Sequence, residues 1–170
     1  MKVSRKGEYA LRAMVDLAFR YGNGPVTVEE IARRGGIPKG FLQQILLQLR
    51  QAGLVQSVRG PSGGYGLMRA PGEIALAEVL REIDGPLAPL SCVSAMAYRA
   101  CGRERRCGLY SVMLDVRNAI AGILETVTLE DVCERTKGGL RKSGLEGAGV
   151  RSGKRPGRAV ARRRVGRRVG

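Results

Sequence analysis

The stretch Phe41-Leu-Gln-Gln-Ile-Leu-Leu-Gln-Leu-Arg-Gln-Ala-Gly-Leu-Val-Gln-Ser-Val-Arg-Gly-Pro-Ser-Gly-Gly-Tyr65 decides the fold. Its first half has a helical period. Phe41, Leu42, Ile45, Leu46 and Leu49 fall on one apolar stripe. Ile37 and Pro38 open this helix, and Ala52-Gly53 closes it. Its second half is β-prone over 54–58, turns through Arg59-Gly-Pro-Ser-Gly-Gly64, and returns as a strand from Tyr65 to Arg69.

Working outward, Ser4 caps a helix that reaches Arg20, with Leu11, Met14, Val15 and Ala18 expected to face inward. Tyr21-Gly-Asn-Gly-Pro25 breaks it. Thr27 caps a short second helix with Val28, Ile31 and Ala32 inward, and Gly35-Gly36 ends it. Two helices, a tight turn, a third helix and a Gly-rich hairpin are the order of a winged helix-turn-helix. A fourth helix is expected over 76–83, a cysteine-bearing loop over 85–107, a long helix over 108–126, and a last short helix over 128–134 capped by Thr128.

In the long helix, Leu109, Met113, Val116, Ile120, Ile123 and Val127 recur at alternating spacings of four and three. That is a coiled-coil seam, running roughly 30 Å at the α-helical rise. So long an apolar edge in so small a protein packs either on its own domain or on a second copy, and a two-fold homodimer is the expectation. The fold expected is mainly α: a winged helix-turn-helix with a small hairpin wing and a long dimerisation helix. The segments are a DNA-binding region over 1–84, a cysteine loop over 85–107, the dimer helix and short last helix over 108–135, and a tail over 136–170.

The chain has 170 residues with 30 Lys and Arg against 15 Asp and Glu, a formal charge of +15. Such a balance points to a polyanionic partner. From Lys137 onward there are twelve basic residues and one acid, so most of the excess sits in the tail. That tail, rich in Gly, Arg and Lys, cannot bury enough surface to fold alone, and is expected to be disordered and to add sequence-independent, salt-sensitive DNA affinity. There is no histidine, which excludes His-based acid–base and nucleophilic catalysis and His-dependent zinc fingers. No apolar run of membrane-spanning length and no signal-like start is present. A cytoplasmic protein without membrane association is expected, with its four cysteines more suited to metal or redox chemistry than to structural disulfides.

In a helix-turn-helix the third helix enters the major groove and its first turns read bases. The positions expected to be exposed there are Lys39, Gly40, Gln43 and Gln44, with Gln48 and Arg50 further on; glutamine suits adenine edges, while Lys39 and Arg50 suit phosphates. Arg59, at the edge of the hairpin turn, is placed to enter a narrow minor groove. Ser62 and nearby amides suit phosphate. A solvated helix face and an ordinary hairpin would use the same residue types. Cys92, Cys101 and Cys107 are spaced C-x8-C-x5-C. Thiolates are soft ligands for iron–sulfur clusters or zinc. Arg99, Arg103, Arg105 and Arg106 would be expected to favour thiolate. Reactive thiols and plain loop cysteines are the alternatives. Cys133 reads as a buried structural residue.

The run from Phe41 to Tyr65, with Glu8-Tyr-Ala-Leu-Arg-Ala-Met14 and Thr128-Leu-Glu-Asp-Val132, resembles the IscR/NsrR-like ("Rrf-two") family of bacterial winged-helix transcription regulators. The resemblance covers roughly 1–135. It implies a DNA-binding regulator, not an enzyme, acting as a homodimeric repressor on a pseudo-palindromic double-stranded operator. It implies that Arg59 enters the minor groove and that Gln43 and Gln44 face bases; with Lys39, Arg50, Ser62 and Tyr65 these are the expected DNA-binding residues. It also implies an iron–sulfur cluster, 2Fe-2S or 4Fe-4S, held by Cys92, Cys101 and Cys107 and sensing redox state, cluster supply or nitric oxide. Some relatives add an acidic ligand from the start of helix one of the other subunit, and Glu8 occupies that position. The competing readings are a cluster-free regulator working through thiol oxidation or a partner protein, and a basic RNA-binding accessory protein.

Overall fold

The computed structural model describes residues 2–60 and 63–138; Ser62 and the basic stretch from residue 139 onward lie outside the described residues. Helix α1 (Arg5–Phe19) is the hub. Ser4 caps it by accepting the Gly7 N–H at 3.0 Å. The Ser4 backbone N–H donates to Asp84 at 2.8 Å, and its hydroxyl donates to the same carboxylate, so the cap also ties the start of α1 to the end of α4 (Leu76–Asp84).

The inward face of α1 is Ala10, Ala13, Met14, Leu17 and Ala18. Leu11 and Val15, expected inside, are only half-buried. The reason is that α1 is surrounded on several sides, and alanines let neighbouring helices approach closely. Leu11 packs both on the edge of the main core and on a small satellite cluster of Ala77, Leu80 and Leu87.

Helix α2 (Val28–Gly35) starts in a capping box between Thr27 and Glu30, and ends where Gly36 takes the left-handed conformation at φ 62°. Helix α3 (Lys39–Gln51) buries Leu42, Ile45, Leu46 and Leu49. Phe41, expected on that stripe, stays 40% exposed and sits edge-on to the Tyr9 ring at 5.8 Å. The wing is an antiparallel hairpin of β1 (Val55–Val58) and β2 (Gly64–Leu67), in the register Val55 to Leu67 and Val58 to Gly64. Only its root, Val55 and Leu67, is buried, so the wing projects from the core.

Two short 3-10 turns, Ser91–Val93 and Glu104–Arg106, punctuate the cysteine loop. Helix α5 (Gly108–Thr126) follows with the expected bounds. The chain then pairs back beside the entry to α4: Leu76 N–H bonds Val127 O at 3.0 Å and Leu129 N–H bonds Ile74 O at 3.0 Å. This returns α6 (Leu129–Lys137), capped by Thr128 and Asp131, onto α1. Leu129 and Cys133 join the same buried cluster as Met14 and Leu17. Burial pushes the Cys133 thiol pKa up, which keeps it protonated and inert, as a structural cysteine should be.

Helix α5 is different. Ala121 is its buried residue, while Leu109, Val112, Val116 and Ile123 are exposed and Met113 and Ile120 half-buried. Its attachments are Leu124 on the satellite cluster and an Arg81–Glu125 ion pair to α4. The seam seen in the sequence is therefore not consumed by the chain's own core. Among the described residues no helix is long and apolar enough to cross a membrane.

Candidate DNA interface and cysteine site

The outer face of α3 carries Gln43, Gln44 and Leu47, all exposed because the buried residues take the opposite side of the helix. Gln48, one turn on, is committed elsewhere. It accepts from Lys6 Nζ at 2.6 Å and donates to Glu82 O at 2.7 Å, joining α1, α3 and α4. Lys39, at the start of α3, pairs with Glu29 in the first turn of α2, and that contact holds the Glu29 carboxyl below its usual range. Both partners are exposed, so the pair is weak and a phosphate can displace it.

Arg50 reaches Ser57 of the wing root at 3.4 Å. Arg59 is exposed at the tip side of β1. Tyr65 is half-buried against the core, and its backbone pairs with Val26 through bonds of 2.8 and 2.9 Å. Its structural task is to anchor the wing. The fold therefore presents Gln43, Gln44 and Arg59 to solvent on α3 and the wing, with Lys39 and Arg50 exposed on the same helix.

The cysteine loop connects α4 to α5. The turn at Ser91–Val93 buries Cys92 and Val93, whereas Cys101 is exposed and Cys107 caps α5 half-buried. Burial pushes the Cys92 thiol up and the neighbouring Cys101 adds to the shift. At Cys92 the expected thiolate-favouring effect of the loop arginines is thus reversed, because loss of water outweighs charges held at the surface.

Glu104 organises the next layer. It accepts the Cys101 N–H at 3.0 Å and the Tyr98 hydroxyl at 2.6 Å. The Tyr98 bond, then the Cys101 N–H, holds the Glu104 carboxyl below its usual range, and the same contact pushes the Tyr98 phenol up to about 12. A cavity of about 750 Å³ opens beside them, lined by Glu104, Cys107, Arg103, Arg106, Ala100 and Gly102.

Among the described residues no three Cys, Asp or Glu side chains already stand close enough to hold a metal ion. Glu8 is on α1, paired with Arg12 at 2.5 Å. The donor set nevertheless suits an iron–sulfur group. Three thiols share one loop, and Cys107 lines the cavity beside it. Sequence reasoning missed Glu104 and Tyr98. The available signal was that Glu104 is the sole acid between Gly85 and Cys107, set midway between Cys101 and Cys107.

The burial order predicts the reactivity order. In metal-free chain at neutral pH, iodoacetamide should label Cys101 well before Cys92 and Cys133, which are 8% and 6% exposed with raised thiol pKa values. Peptide mass spectrometry over a time course reads this directly. Early modification of Cys92 would show that the Ser91–Val93 turn opens.

The family model of Rrf2, described as an iron-dependent transcriptional regulator, matches residues 3–135. An rrf2-like HTH-type transcriptional regulator of Rhodobacter capsulatus is 43% identical over 136 residues, covering 76% of this chain and 91% of its own. Among solved structures, CymR (YrzC), the global cysteine regulator of Bacillus subtilis, superposes with a TM-score of 0.65 at 33% identity, over 79% of this chain and 97% of that one. IscR of T. potens gives a TM-score of 0.63 at 35% identity, over 80% and 88%. The winged helix, the exposed glutamines and arginine, and these likenesses agree: the chain belongs to the Rrf2 family of helix-turn-helix transcriptional regulators, DNA-binding proteins rather than enzymes.

Proposed function

We propose that this regulator is a cytoplasmic homodimeric repressor whose affinity for a pseudo-palindromic operator is set by an iron–sulfur cluster on the loop between α4 and α5. The observation that carries the reading is that Cys92, Cys101 and Cys107 stand on one loop, with Cys107 lining the cavity that opens there. Cys92, Cys101 and Cys107 would hold the group, with a carboxylate completing the set; the resemblance nominates Glu8 of a second copy. When bound, such a cluster supplies chemistry sensitive to redox state, to iron supply and to nitric oxide.

The chain's own residues do the coupling. Cys92 and Val93 pack inside the protein, Cys107 caps α5, and α5 is tied through Glu125 to Arg81 of α4. Repacking this loop therefore moves the dimer helix relative to α4, on which α1 and α3 rest. In a two-fold dimer that changes the spacing of the two recognition helices, and a match of half-site spacing is what operator affinity requires. Only a group that contacts the two arrangements differently can shift this balance.

The test compares cluster-loaded and cluster-free full-length chain on one operator at matched salt, with iron and sulfide counted per chain. At least about a tenfold difference in affinity is expected, a coupling of about 1.4 kcal/mol. Cys101→Ala should bind as the cluster-free form does. Equal affinities in loaded and free protein would sink the reading.

The same cysteines support a second reading without a cluster. Hydrogen peroxide would oxidise Cys92 and Cys101 to a disulfide, both thiol protons leaving with the peroxide oxygens as two waters. Iron and sulfide content separates the two.

A further inference from the structure

Where α4 and α5 meet the first half of the cysteine loop, the packing leaves a cavity of about 240 Å³. Arg81 of α4, Arg117 and Glu125 of α5 and Ser94 of the loop stand on its wall, with Leu87 and Ala121 beside them. Its charges do not cancel. Arg81 is paired with Glu125. Arg117 pairs with no acid among the described residues, and its Nε is buried without a hydrogen-bond partner. A guanidinium cannot shed its proton to escape such a position, and a buried donor left open is costly. Ser94 is 6% exposed, and its Oγ accepts the Ala97 N–H at 2.9 Å, which leaves the hydroxyl proton to donate. The wall thus offers open donors, one uncancelled positive charge and an apolar remainder.

We propose that this cavity is a binding site for a small aliphatic carboxylate. The Nε–H of Arg117 and the Nη–H beside it form a planar fork that matches two carboxylate oxygens. The hydrocarbon then lies against Leu87 and Ala121. An inorganic oxyanion could use the same fork but would gain nothing from the apolar wall. The volume lies below the roughly 300 Å³ at which pockets for drug-sized ligands begin, so a body of a few carbons is what fits. None of the described residues lining the cavity is a cysteine, so the inference stands apart from the cluster reading.

Butyrate titrated into the full-length chain at neutral pH and fixed ionic strength, followed by ligand-observed nuclear magnetic resonance, should bind saturably. Arg117→Met, which keeps a long side chain without its charge, should weaken that binding at least about tenfold. Acetate, two methylenes shorter, should bind at least about fivefold more weakly than butyrate, and butylammonium should not compete. Gly122→Leu tests the cavity while keeping the guanidinium. Gly122 lines the cavity and a Cβ there meets nothing within 4 Å, so the longer side chain is built into open space and should exclude butyrate. Anion binding by the basic tail is common to all these proteins and cancels in the comparison. Binding that never saturates, wild-type affinity in either variant, or sulfate binding as tightly as butyrate would each overturn the proposal.

Discussion

Replacing Val116 and Ile123 together by Asp should turn the protein into a monomer and lower operator affinity by at least two orders of magnitude. Both side chains are exposed on α5, at 38% and 61%, and lie on one seam with Leu109 and Ile120. Covering an aliphatic side chain of this size contributes about 1.5–3 kcal/mol. A self-complementary contact counts every side chain twice. The double variant removes that contribution on both copies and sets four carboxylates into an apolar interface, where unpaired charge is costly. Neither residue supports the chain's own core, so helix content should be unchanged. Sedimentation or light scattering reads the mass, and far-ultraviolet circular dichroism checks the fold. A variant that remains dimeric and binds operator normally would show that α5 is not the dimer contact.

The second large effect is expected at Gly64. A Cβ there would meet the Val26 carbonyl oxygen, with the Val26 carbonyl carbon at 2.5 Å and the Thr27 nitrogen at 3.0 Å. All three are backbone atoms and cannot rotate away. They belong to the bridge by which Val26 and Tyr65 exchange two hydrogen bonds and fasten the wing to the entry of α2. Gly64→Ala must therefore break this bridge or displace the strand. Overpacking of this kind costs about 1–3 kcal/mol, and each lost hydrogen bond about another 1 kcal/mol. We expect a fall in unfolding free energy of about 2–4 kcal/mol by urea titration. Operator binding should fall further than Arg59→Ala alone would cause, because the whole wing loses its anchor. Gly66, where a Cβ meets nothing within 4 Å, is the control: Gly66→Ala should change neither quantity appreciably.

These predictions draw on different sources. The first needs only α5's heptad spacing to be conceived, but the exposure of Val116 and Ile123 to be believed. The second could not be conceived from the sequence. Gly63 and Gly64 read there as a permissive turn, whereas Gly64 is required by the close approach of another segment's backbone.

The order and type of the elements follow from the chain alone. Caps at Ser4, Thr27 and Thr128, the breaks at Gly36 and Gly53, and the apolar period of α3 and α5 are local signals, and local backbone chemistry acts within a few residues. The exposed side of α3, with Gln43 and Gln44, was legible for the same reason, since it follows once the buried side is known. Only the tertiary structure decided what depends on distant partners. It committed Gln48 to Lys6 and Glu82, put alanines rather than Leu11 and Val15 at the centre of α1, and brought α6 with Cys133 into the amino-terminal core. It also buried Cys92 and set the Glu104 carboxylate on the Cys101 N–H and the Tyr98 hydroxyl. Spacing along a loop without regular structure fixes no direction for a side chain; burial and hydrogen-bond satisfaction do, and both exist only once the chain has folded.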